Sequence, residues 1–219
     1  TWAPVLQQAA LAVAGHDRAL ARILLTSGGF DQETGKTAPN SLLAAANTVE
    51  IAEAWAAQLP GAELPAMVEE LDRIFQEGGL LNAAPVTELE PLFRRLKDRG
   101  LALGLATSDS QVAAEATLER FSILPHMDFV AGYDSGHGYK PEPGMVLAFC
   151  AACRLAPSET AMVGDNLHDL KMGKAAGAGA LIGVLTGSGT REQLSTLADE
   201  VLDSIAGLEA WLDAREAAA

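Results

Sequence analysis

Ala161-Met162-Val163-Gly164-Asp165-Asn166-Leu167-His168-Asp169 decides how the rest of the chain is read. Ala161 to Val163 are apolar without interruption, the pattern of a short parallel strand covered on both faces. Gly164 permits a sharp turn, and Asp165 then falls at the carboxyl end of the strand, where open α/β sheets place their chemistry. Asp169 follows four residues later. With a helix starting near Asn166, both carboxylates lie close to its first turn and can face one crevice. Two acids at a strand tip, with few cations beside them, suit a hard divalent cation that takes oxygen ligands. A plainer account fits the same residues: Asp165 caps the helix and Asp169 sits in its dipole-favoured first turn.

On either side of this stretch, apolar strands alternate with helices, which implies a parallel sheet. Upstream stand a helix at Leu89 to Leu96, a strand at Leu101 to Ala106, a helix over 110–121, a strand at Phe129 to Ala131 and a helix from Pro143 to Leu155. Downstream follow a helix to about Ala176, a strand at Ala180 to Leu185, a short helix near Thr190 to Leu194, a strand at Glu200 to Leu202 and a closing helix from Ile205 to Leu212. Residues 1–82 read differently. They carry apolar stripes at helical spacing (Trp2, Val5, Leu6, Ala9, Val13; later Leu64, Met67, Val68, Leu71, Ile74, Phe75) and no convincing strand. Asn47 with Glu50 resembles a capping box. Gly78-Gly79 through Ala84-Pro85 marks the boundary. The expected architecture is therefore α/β: a Rossmann-like core over 83–219 and a small all-helical unit over 1–82.

The 219 residues suffice for a substantial core, and 49% of them are apolar, too many for a disordered chain. A formal net charge of −14 argues against nucleic acid and against an anionic membrane surface as partners. It leaves room for a small phosphorylated substrate if a metal and a lysine offset the repulsion locally. With no apolar run of spanning length and no leader, the expectation is a soluble cytoplasmic protein. Cys150 and Cys153 form a C-x-x-C, yet Val146, Phe149, Cys150 and Cys153 follow the spacing of a buried helix face. They are read as core residues. Gly35-Lys36-Thr37 and Gly187-Ser188-Gly189-Thr190 lack the flanking pattern of phosphate or dinucleotide loops, and His168 is read as a solvent-side helix residue.

Two further strand-tip regions carry polar groups. Leu101 to Ala106 ends in Thr107-Ser108-Asp109-Ser110, where a hydroxyl before a helix N-terminus can bind an anion, or Ser108 or Asp109 can simply cap. Lys140 sits between Tyr139 and Pro141 with Pro143 close by, a stiff backbone that would aim its ammonium at a fixed anion, although a surface lysine in a proline-rich turn is the commoner case.

Taken in order, a hydroxyl after an apolar strand, then Lys-Pro, then Val-Gly-Asp-x-x-x-Asp resembles the haloacid dehalogenase superfamily of phosphatases, in its phosphoglycolate phosphatase branch with a helical cap. The resemblance spans essentially the whole chain. It implies hydrolysis of a phosphate monoester through an aspartyl-phosphate. Thr107 and Ser108 would hold phosphate oxygens, with Lys140 offsetting charge on the nucleophile and the phosphoryl group. Asp165 would bind Mg²⁺ directly; Asp169 would bind it through water or orient Lys140. The substrate would be a small phosphorylated metabolite, and the protein a monomer or homodimer. The family's first motif, an apolar strand followed by Asp-x-Asp-Gly-Thr, is absent from these residues. Phe30-Asp31-Gln32-Glu33-Thr34-Gly35 is no substitute, since no apolar strand feeds it. The nucleophile and the central strand of the sheet are expected upstream of Thr1. A phosphomutase of the same family would keep every motif seen, and a non-catalytic phosphate-binding module remains the alternative if the natural N-terminus lacks the acids.

Overall fold

The apolar stripes of the first third pack together in a computed structural model, which describes residues 2–217. Helix α1 (Ala3–Val13) places Val5, Leu6, Ala9 and Ala10 inward, and α2 (Arg18–Ser27) opens on Asp17, whose carboxylate accepts the Ala19 and Leu20 N–H groups. After a short α3 (Leu42–Ala45), α4 (Thr48–Ala56) starts at the expected capping box, with Asn47 accepting from Glu50 N–H and Glu50 reaching back to Asn47 N–H. The long α5 (Leu64–Asn82) completes the bundle. Its core contains Leu24, Trp55, Leu71 and Ile74, each buried, and the Trp55 indole N–H donates to Leu24 O at 3.2 Å.

One expectation about this region changes. The polar loop after α2 is a small hairpin, β1 (Phe30–Asp31) paired antiparallel with β2 (Lys36–Thr37), so the unit is not all-helical. Asp31 Oδ1 accepts the Glu33 and Thr34 N–H groups and folds the turn back, while Phe30 is buried and anchors it. Helix α5 runs through Gly78 and Gly79 and ends at Asn82, within the stretch 78–85. Their role is close approach, because a Cβ at Gly78 would lie 2.6 Å from a Val5 methyl carbon. Glycine there lets α5 pack on α1.

The rest is an α/β layer arrangement. Helix α6 (Leu89–Asp98) leads to β3 (Gly104–Ala106), and α7 (Gln111–Arg120) connects to β4 (Phe129–Ala131), parallel to β3 with Leu105 opposite Val130. Helix α8 (Gly144–Cys153) carries both cysteines, neither in a disulfide, and Cys150 packs with Met145, Val146 and Met172. Then β5 (Ala161–Gly164), α9 (Leu167–Ala176), β6 (Ala180–Val184), α10 (Arg191–Leu194), β7 (Glu200–Leu202) and α11 (Leu208–Glu216) follow. Strands β5, β6 and β7 form a second parallel ladder. No helix among the described residues is long and apolar enough to cross a membrane.

The parallel strands thus form two ladders, β3-β4 and β5-β6-β7. The free edges of β3 and β5 border one cavity of about 750 Å³, lined by Leu103 to Ala106, by Ala161 to Gly164, and by Leu92, Leu96 and Trp211. This slot explains why the strand expected from Leu101 is paired only from Gly104: β4 supplies three partners on one side, and the other side faces the cavity.

Candidate active site

Asp165 stands at the tip of β5, where the chain turns into α9. Asn166 caps that helix, its Oδ1 accepting from His168 N–H at 2.6 Å, and Asp169 closes the capping box. Asp169 Oδ2 accepts the N–H groups of Asp165 at 3.2 Å and Asn166 at 3.1 Å, and its Oδ1 takes the Lys140 ammonium at 2.7 Å. Both oxygens of this carboxylate are engaged. The pair is well covered, with side-chain exposures of 13% for Lys140 and 8% for Asp169.

Asp165 is placed otherwise. Its Oδ2 accepts Ser188 N–H at 3.0 Å, and its main-chain oxygen accepts Gly189 N–H at 3.0 Å. Its Oδ1 accepts from no other residue among those described. Burial pushes the Asp165 carboxyl up and the adjacent Asp169 charge adds to this, with Ser188 N–H and Lys140 pulling partway back. The Gly187-Ser188-Gly189 turn therefore wraps Asp165, and a Cβ at Gly187 would lie 1.9 Å from Asp165 Oδ2. Asp165 has an oxygen to offer a cation, whereas Asp169 is spent on Lys140 and the helix start. Among the described residues no group of three or more His, Cys, Asp or Glu side chains gathers as a metal site.

Thr107 stands at the tip of β3, its N–H bonded to Ala131 O and its Oγ1 accepting Asp109 N–H at 3.1 Å. Ser108 Oγ donates to Ala45 O at 3.2 Å, and Asn166 Nδ2 reaches Ala44 O at 3.5 Å. Ala44 and Ala45 are consecutive, so these two bonds bring the tips of β3 and β5 under one segment of the bundle. The cap of α7 is Ser110, neither Ser108 nor Asp109. Asp109 is raised by burial, with Lys140 and Thr107 opposing and Asp72 of α5 adding to the shift. Lys140 is thus felt by Asp109 on one lip and Asp165 on the other.

Tyr133 and Asp72 had no signal in the sequence. Tyr133 donates its phenol to Asp72 Oδ2 at 2.5 Å, tying the loop after β4 to the bundle. Burial first, then Asp72, lifts that phenol well above its usual range. Asn47 Nδ2 is buried with no hydrogen-bond partner, and so are Ser188 Oγ and His168 Nδ1. Only the capping pattern of Asn47 was readable.

The family model for haloacid dehalogenase-like hydrolases matches residues 10–177. Over 107 residues the chain is 39% identical to "Probable phosphatase IndB" of Dickeya dadantii, covering 49% of this chain and 46% of that protein. Over 123 residues it is 33% identical to the phosphoglycolate phosphatase of Rhodospirillum rubrum, covering 55% and 50%. The matches span about half the length of these curated relatives. The fold is that of a hydrolase from Pseudomonas syringae, with a TM-score of 0.69 at 17% identity, covering 97% of this chain and 91% of that one.

Proposed function

The chain belongs to the haloacid dehalogenase-like hydrolases, and from that premise we propose that it is the body of a Mg²⁺-dependent phosphatase acting on a small phosphorylated metabolite. What carries the reading is the contrast between the two acids of β5 and α9. Asp165 is half-buried with one oxygen uncommitted, and Asp169 is fully engaged in holding Lys140 and the helix start. A half-buried carboxylate oxygen with no ion pair of its own is the donor that a hard divalent ion satisfies.

In this reading Thr107, Ser108 and the amides at the start of α7 hold the phosphate oxygens. Ser108 must first release Ala45 O. Lys140, kept in line by Asp169, offsets charge on the attacking carboxylate and the transferring phosphoryl group. Asp165 would hold Mg²⁺, and the ion would supply further charge neutralisation when bound. The attacking aspartate is assigned to a strand seated in the slot between β3 and β5. Such a strand would complete both ladders and satisfy their free backbone groups. Its tip would meet Thr107, Lys140 and Asp165. Residues 1–82 act as the cap over 83–219, excluding water and selecting the substrate. Phosphatases among the relatives support the ester class.

The test is Asp165→Asn in the full-length protein. Mg²⁺-dependent hydrolysis of phosphate monoesters should fall by about 100-fold or more, with the circular dichroism spectrum unchanged. Undiminished turnover would remove Asp165 from the metal site.

A further inference from the structure

Gly187-Ser188-Gly189 lacks the flanks of a phosphate or dinucleotide loop, and the sheet register explains where it goes instead. Gly164, the last residue of β5, is paired with Gly183 of β6, and β6 continues to Val184. The chain beyond β6 therefore overshoots the tip of β5 and passes across Asp165. Two successive amides of this turn hold the aspartate at two points. Ser188 N–H donates to Oδ2 and Gly189 N–H donates to the main-chain oxygen, each at 3.0 Å. The residues on either side of Ser188 have no room for a side chain. A Cβ at Gly187 would lie 1.9 Å from Asp165 Oδ2, and one at Gly189 would lie 2.3 Å from Asp165 O. Close approach requires glycine at both. Ser188 Oγ is buried without a hydrogen-bond partner, so the grip is exerted by the main chain alone.

The far end of the turn is fixed as well. Thr190 caps α10, its Oγ1 accepting from Gln193 N–H at 3.3 Å, and Leu194 of that helix is fully buried beside Gly183 and Gly189. The turn is thus anchored by β6 on one side and by α10 on the other. Asp165, Thr186 and Gly187 all border the slot between β3 and β5. Towards that space Asp165 has Oδ1 to present, because Oδ2 is taken. Asp169 adds no free oxygen: Oδ1 holds Lys140, and Oδ2 holds the Asp165 and Asn166 N–H groups. Neither carboxylate has both oxygens open to one ion.

Resting on the reading of Asp165 as the metal donor and deepening it, we infer that the 187–189 turn is a positioning element that restricts Asp165 to coordination through Oδ1 alone. A carboxylate held to one oxygen suits a small octahedral cation that keeps much of its water, as Mg²⁺ does. A larger cation such as Ca²⁺ gains from two-oxygen coordination, which Ser188 N–H blocks. Hydrogen-bonding partners behind a metal ligand are worth about 10–100-fold in metal affinity. Gly187 and Ser188 thereby influence which ion the site takes without touching it.

The experiment uses Mn²⁺ as a paramagnetic probe in the full-length protein. Electron paramagnetic resonance counts the free ion, and Mg²⁺ or Ca²⁺ displaces the bound one. Gly187→Ala pushes the Asp165 carboxylate aside and should weaken Mn²⁺ binding by about tenfold or more. Ser188→Pro removes the N–H, frees Oδ2 and should raise the displacing power of Ca²⁺ relative to Mg²⁺ several-fold. In both variants the Mg²⁺ concentration for half-maximal hydrolysis of p-nitrophenyl phosphate should shift further than kcat at saturating Mg²⁺. Circular dichroism checks each fold, and the other variant decides should one fail to fold. Wild-type Mn²⁺ affinity in Gly187→Ala, or a wild-type ratio of Ca²⁺ to Mg²⁺ displacement in Ser188→Pro, would overturn the inference. Asp165→Asn separates it from the reading beneath: Mn²⁺ binding lost there keeps Asp165 as the ligand, and Mn²⁺ binding retained overturns both.

Discussion

Replacing Asp169 with asparagine keeps the shape of the side chain and removes its charge, and the surroundings give the amide no good orientation. With Oδ1 turned to the Asp165 and Asn166 N–H groups, the amide NH₂ faces the Lys140 ammonium. Turned the other way, it faces the two backbone donors. Either choice sets donor against donor. Breaking a buried pair by removing one partner costs about 3–5 kcal/mol. Here Asp165 and Asp109 still act on Lys140 and recover part of that, so the expected loss is about 2–4 kcal/mol. Urea unfolding followed by circular dichroism measures it, provided the slope m is unchanged. A double-mutant cycle with Lys140→Met isolates the pair, and the double variant should recover about 1–3 kcal/mol of the summed single losses. Additivity within about 0.5 kcal/mol, or a loss that small for Asp169→Asn alone, would refute the buried-pair account.

Gly78→Ala should destabilise by about 1–2 kcal/mol despite the better helix propensity of alanine, because the new Cβ meets Val5; in a Val5→Ala background the same substitution should stabilise, and thermal unfolding of the four proteins checks the reversal. On the acid side, burial of Asp128 works against ionisation, but the Lys97 ammonium at 2.6 Å and Leu103 N–H outweigh it and hold its carboxyl below the usual range. A carboxyl depressed in the folded state contributes stability above its unfolded value, roughly pH 4, and loses it as pH falls through the lower folded one. Asp128→Asn should therefore flatten the stability profile below about pH 4, and superimposable profiles there would remove Asp128 from the acid response.

Much of the layout was legible because it rests on local chemistry. The apolar run ending at Gly164, the capping box at Asn47 and Glu50, and the strand-helix alternation from Leu101 all follow from side-chain patterns a few residues long. Asp169 closes a helix-start box, the plainer of its two readings, and the same carboxylate holds Lys140. What escaped was non-local or carried by the backbone. Ala44 and Ala45 engage the core through carbonyl oxygens, which any residue possesses, so their alanine identity says nothing. Asp72 and Tyr133 are 61 residues apart, and neither lies in a motif. The packing role of Gly78 was unreadable for the same reason, since its close contact is with Val5 on another helix.

The slot also fixes how the protein can be watched. Trp55 is sealed in the bundle and Trp2 packs edge-on against Phe75, both on the bundle side. Trp211 instead lines the slot, half-buried, with the Arg215 guanidinium 5.0 Å from its ring centre. One indole of three therefore borders the space between the ladders. Its fluorescence should shift to the blue where chain displaces solvent from that space, while Trp55, sealed in the bundle, gives a constant background. The molecule carries its own optical gauge of whether the sheet is continuous.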